Sequence, residues 1–128
     1  MYLGRAEAAI ENFTRAMRLS PLDPEMGYML SGIANAYHYL GQYERTVECA
    51  ERAVREMPNW LQAYLFWASA LAGLDKTDDA RSVMQKIFKL QPGFTATAFL
   101  RLLAQPNPEL RLRYVSNLVK AGLPDDRT

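Results

Sequence analysis

One cysteine, Cys49, and one histidine, His38, are all that this chain of 128 residues has of either type. A lone cysteine excludes an intrachain disulfide and any Cys-rich metal framework, and it suits a reducing cytoplasm. A lone histidine excludes a His-pair metal site or a two-histidine relay. Charge of one sign is missing too: 15 Lys and Arg against 14 Asp and Glu leave a net +1, and no basic block suggests a phosphate-binding surface. No stretch approaches about 18 uninterrupted apolar residues, the length a membrane span needs. Met1 to Ile10 carries Arg5 and Glu7 where a signal peptide would have an apolar core. There is no Gly-rich phosphate loop, no nucleophile motif and no carboxylate pair beside a base. Asp78-Asp79 and Asp125-Asp126 read as helix capping and a solvated tail. The expectation is a chain with no catalytic residue, no cofactor and no metal, working neither as an enzyme nor on nucleic acid or membrane.

What is present is a period. Pro58 and Pro92 stand 34 residues apart. The unit ending at Pro58 carries Leu30, Ile33, Ala34, Tyr37, Gly41, Tyr43, Ala50 and Ala53; the one ending at Pro92 carries Tyr64, Trp67, Ala68, Leu71, Ala80, Met84 and Ile87 at the matching places. A fixed step of this length marks one supersecondary unit copied along the chain. Gly4, Ala9, Phe13, Ala16 and Pro21 fit the second half of an earlier unit, so the array reads as starting in mid-repeat. About three extra residues within Leu22 to Met26 then lengthen one connection.

Helix signals fall at the same cuts. Asp23-Pro24-Glu25, Thr77-Asp78-Asp79 and Asn107-Pro108-Glu109 each offer an N-cap followed by first-turn residues that suit the helix dipole. Gly122 with Pro124 stops the last helix. Helices are predicted near 5–20, 24–40, 43–57, 60–74, 77–90, 94–104 and 108–121, with no strand alternation anywhere. On 43–57, Glu44, Arg45, Glu48 and Arg52 share a solvated face opposite Val47, Ala50, Ala53 and Val54. Residues 94–121 abandon the repeat pattern, and their apolar surface marks a C-terminal cap covering the final unit.

These features resemble the tetratricopeptide repeat (TPR), a helix-turn-helix unit of this length. The resemblance implies an all-α, short right-handed solenoid of antiparallel helix pairs: 1–21 the second half of a truncated unit, 24–58 and 59–92 two repeats, 93–122 capping helices and 123–128 a tail. Asp75 replaces a usual glycine, and Ile87 puts bulk where a small residue lets helices approach, so looser or shifted packing is expected there. The strings RLSPLDP (18–24), LQPGFT (90–95) and LVKAGLPD (118–125) also look like the C-terminal TPR region of bacterial class III adenylate/guanylate cyclase-like regulators. That likeness implies a regulatory or scaffolding segment of a larger bacterial signalling protein, downstream of a cyclase or winged-helix domain.

In TPR arrays the first helix of each pair lines a concave groove. The resemblance therefore implies a peptide groove formed by Tyr28, Ser31, Asn35, His38 and Tyr39 with Gln62, Leu65, Phe66 and Ser69. Asn35 suits the family's carboxylate clamp, but Ser31 and Phe66 stand where that clamp has lysine and arginine, so the clamp is disfavoured and a peptide held by aromatic and amide contacts is expected. His38 reads as a polar groove-wall residue and Cys49 as a half-buried filler between Arg45 and Arg52. The partner is expected to be a protein or peptide, or the parent protein's own upstream domain. The alternative is a structural element: Ala6, Ile10, Phe13 and Met17 form a stripe that could pair two copies as a homodimer.

Overall fold

A computed structural model describes residues 2–19, 24–103 and 105–127. They form seven helices and no strand: α1 (Tyr2–Leu19), α2 (Met26–Tyr39), α3 (Tyr43–Glu56), α4 (Leu61–Gly73), α5 (Thr77–Leu90), α6 (Ala96–Leu102) and α7 (Pro108–Lys120). Consecutive helices from α1 to α5 pack as antiparallel neighbours, which is a TPR-like helical repeat.

The 34-residue step is built from turn chemistry. Gly41 closes the α2–α3 turn at φ +76°, and Asp75, one period on, closes the α4–α5 turn at φ +62°. Left-handed backbone is free for glycine and tolerated by aspartate, so the turn survives the substitution. Small residues then set the helix spacing: Ala34, Ala50, Ala53, Ala63, Ala68 and Ala72 are all fully buried. At Gly73 a Cβ would collide with the Tyr43 ring, so glycine fixes how closely α4 meets α3.

Helix α4, LQAYLFWASALAG, is apolar on every side apart from Gln62 and Ser69. A helix of that kind must be covered all round, and α4 touches α2, α3, α5 and α7. It is the centre of the main core, where Leu65, Leu71 and Ala72 meet Met84 and Ile87 of α5, Phe99 of α6 and Tyr114, Val115 and Leu118 of α7. The cap thus packs on the α2–α4 side of the array, with α4 its main support.

Several local expectations need correction. Thr77 is the first residue of α5 rather than its cap; Lys76 takes the cap position without a side-chain bond, and Asp78 and Asp79 act only as first-turn acids. Helix α2 starts at Met26, with Glu25 before it accepting the Met29 N–H on its backbone carbonyl and giving no side-chain cap; Ser20 to Asp23, which include the expected cap Asp23, the repeat landmark Pro21 and part of the extra loop, lie outside the described residues. Helix α6 is shorter than expected and begins after Thr95, whose hydroxyl accepts the Ala98 N–H. Asn107 caps α7 as expected, accepting from Glu109 and Leu110. Ile87 is fully buried within the core, so its bulk is absorbed.

The 123–127 segment is not free in solvent. Leu123 is buried, the Pro124 carbonyl accepts the Ala96 N–H at 2.9 Å, and Asp126 accepts the Thr97 N–H at 2.9 Å. The chain end therefore closes the N-terminus of α6, where a carboxylate also meets the positive end of the helix.

Leu118 of α7 is 0 % exposed and Leu112, on the opposite face, 58 %. Leu118→Ala is expected to cost about 2–5 kcal/mol in urea unfolding, and Leu112→Ala within about 0.5 kcal/mol. Equal small effects would mean that α7 is not part of the core.

Candidate functional site

The residues expected to line a groove separate into two environments. Toward the C-terminal ends of α2 and α4, the face is sealed by α7. His38 Nε2 and Ser69 Oγ hydrogen-bond at 2.6 Å across the two helices, and Tyr114 stacks on the His38 ring at 4.1 Å with the planes 26° apart. His38 is 3 % exposed, and Ser69 and Leu65 are buried beneath the same cover. Tyr114 also meets Phe99 and Phe66, at 4.8 and 5.9 Å between ring centres. At the other end Tyr28 stays exposed, edge-on to Trp60 at 4.9 Å. Ser31 is buried and accepts the Trp60 indole N–H at 3.3 Å.

Two arginines of α7 hold this arrangement, and neither was marked by the repeat pattern. Arg113 Nη2 donates to the carbonyls of His38 and Tyr39 at 3.1 and 3.0 Å, closing the C-terminus of α2 with a cation where the dipole favours one. Arg111 donates to the carbonyls of Leu100, Leu103 and Gln105 and so pins the α6–α7 connection. Asn117 reaches the Tyr43 hydroxyl at 3.3 Å, and Lys120 pairs with Asp75 at the α4–α5 turn.

Between the sealed end and the open end lies a pocket of about 250 Å³. Asn35, Tyr39, Gln62 and Phe66 supply one wall from α2 and α4, while Leu102, Leu103, Leu110 and Arg113 supply the other from the capping segment. A second hollow, of about 380 Å³, opens between α1 and α2 and shares Asn35, Tyr39 and Gln105 with the first. Of the residues expected to line a groove, Asn35, His38, Tyr39, Gln62, Leu65 and Phe66 line this pocket and Tyr28, Ser31 and Ser69 do not; the other half of the lining comes from residues that repeat register does not reach.

The stripe offered for self-association is partly covered, with Ile10, Phe13 and Met17 half-buried. The Phe13 ring packs against Gly32 of α2, Ala6 is buried, and Met17 packs against the smaller core around Met26 and Leu30. Cys49 is half-buried, and that burial pushes its thiol up despite the opposing pull of Arg52, so it stays protonated. Among the described residues no cluster of acidic, histidine or cysteine side chains could hold a metal, and no helix is long and apolar enough to cross a membrane.

Burial, with the Arg113 charge adding to it, lowers the His38 pKa from 6.5 to about 3. The unfolded chain then binds a proton that the folded one refuses, so stability is full above pH 6.5 and is lost as pH falls from there toward 3. From pH 7 to 5 stability measured by thermal unfolding is expected to fall by up to about 1.4 kcal/mol per unit below 6.5. His38→Asn, less stable at every pH, is expected to show a flat profile over that window. A wild-type profile as flat as the variant's would place the imidazole in solvent.

Residues 28–59 match the family model of the tetratricopeptide repeat. No curated protein matches the chain by sequence. Among solved structures it is similar to the first TPR domain of Spaghetti (RPAP3), determined bound to the HSP90 peptide SRMEEVD: 22% identity over 91% of this chain and 81% of that one, with a TM-score of 0.64. The chain thus has the fold of a short TPR solenoid, and the unit running from α2 through α3 carries the repeat's own sequence signature.

Proposed function

We propose that this chain is a non-catalytic interaction module that takes a peptide in the cleft between the α2–α4 face and the capping segment. The cleft itself carries this reading: an apolar trough with the Asn35 and Gln62 amides on its wall, which suits an extended backbone gripped by side chains on both sides. The likeness to a TPR domain that holds a peptide supports it. The cleft ends at Tyr114, so the bound segment is short. Self-association through Ala6, Ile10, Phe13 and Met17 is the less favoured reading, because Phe13 packs against Gly32 of α2 and Met17 against the smaller core.

The same proposal extends to context. The strings at 18–24, 90–95 and 118–125 support a regulatory or scaffolding segment of a larger bacterial signalling protein, such as an adenylate cyclase, working in the cytoplasm. A cyclase or winged-helix domain encoded in frame ahead of Met1 is the expected finding, and a stop codon there overturns this extension.

The binding reading is tested by selecting heptapeptides from a random displayed library on the immobilised full chain. Asn35→Ala and Leu102→Ala change exposed lining residues and are expected to weaken the selected peptides about tenfold, at nearly unchanged melting temperature. Leu112→Ala, exposed but outside the cleft, is expected to leave affinity as it was. Peptides that ignore both lining changes would overturn the cleft as the site.

A further inference from the structure

Where α7 sits on the repeat helices, three polar groups are kept from water at one place. The His38 imidazole is 3 % exposed, and the Arg113 Nε–H and the Tyr114 hydroxyl are buried without a partner. Apolar packing along the same helix, chiefly Val115 and Leu118, holds it down in spite of them. Such groups cost free energy only while water is excluded. All three costs end together if α7 lifts.

His38 is the one of the three that pH controls. Among the described residues, the charged or titratable groups facing it are Tyr43 of α3, with ring centres 5.2 Å apart, and Tyr114 and Arg113 of α7. Helix α4 presents only the Ser69 hydroxyl, and no carboxylate lines the adjoining pocket. An imidazolium formed there would meet a guanidinium and no counter-charge. Removing Tyr114 alone lets water from the pocket reach the ring, since His38 lies in the pocket wall beside it. The antiparallel pairs α2–α3 and α4–α5 pack on each other through small buried residues and need not separate. Helix α6 is tied to α7 instead, by Arg111 on the Leu100 and Leu103 carbonyls and by Pro124 on the Ala96 N–H.

We infer that the capping segment is an acid-released lid: as pH falls, α6 and α7 lift from α2 and α4 as one unit while α1 to α5 keep their fold. The lifted state takes its proton near the ordinary 6.5 and the seated state near 3, so lifting is favoured progressively as pH falls below 6.5. One proton makes the effect at most about tenfold per pH unit. Asp75 and Asp126, the carboxylates that also tie down the cap, are held below their usual range by Lys120 and by the Thr97 N–H, and keep their charge from pH 7 to 5. Lifting uncovers Leu65 and Ser69, and the short pocket becomes a face running the length of α2 and α4.

Amide hydrogen exchange of the full chain in low urea, corrected for the intrinsic rate at each pH, tests this. Amides of α6 and α7 are expected to share one opening that urea promotes weakly, whereas those of α3 and α4 follow the strongly urea-dependent global unfolding. Between pH 7 and 5 protection in α6 and α7 should fall by up to about thirtyfold through that same weak-urea opening. His38→Asn should remove this pH dependence. Tyr114→Phe keeps the stacked ring and takes away the unpaired hydroxyl, so it should raise α7 protection severalfold at both pH values and leave the pH dependence in place. Exchange of α7 at the same protection and urea dependence as α3 would overturn the lid as a separate unit. A separate opening whose protection is equal at both pH values would overturn its release by acid. Both of these outcomes are read on the wild-type chain, so they stand even if His38→Asn does not fold.

Discussion

Tyr114 lying flat on His38, with His38 bonded in turn to Ser69, is the contact on which the rest of the α2–α4 face depends. It joins three helices that are far apart in sequence. Because the stack excludes water, His38 stays neutral and the hydrogen bond across α2 and α4 keeps one geometry. Because Tyr114 sits there, Arg113 is delivered to the C-terminal carbonyls of α2 and Leu110 to the edge of the pocket. Without this contact α2 and α4 would present an open groove; with it they present a short cleft with a second wall.

That second wall changes the chemistry of the α2–α4 face. A groove lined only by repeat helices would here offer Tyr28, Asn35, Gln62 and Phe66, which carry no charge. The capping segment adds leucines and a guanidinium, and α1 contributes Arg5 at the far side of the shared lining. The pocket is thus walled by apolar side chains on both sides, and no acidic residue lines it or the hollow beside it.

The capping segment is itself held by means other than repeat packing. Arg111 satisfies three carbonyls of a stretch with little regular structure, and the chain end closes α6 through Pro124 and Asp126. These bonds fix Leu102 and Leu103 as a wall, since otherwise the α6–α7 connection would have unpaired carbonyls and no fixed path.

The sequence by itself determined the helical order, the period and most turns, because these rest on local chemistry: left-handed residues 34 apart at Gly41 and Asp75, small residues at helix crossings, Asn107 and Pro108 opening α7. Starts missed by two residues at α2 and α6, and at α5 the start was right but the cap fell on Lys76 rather than Thr77, because several polar residues compete for each cap. The all-round apolarity of α4 was a legible sign that another helix must cover Leu65 and Ser69, since polar exposure there would have been needed for an open groove. Which helix does so, and which of its side chains meet His38, only the tertiary structure decided. The cap does not repeat, so periodicity assigns it no register, and the contact between positions 38 and 114 depends on the path of the whole chain between them.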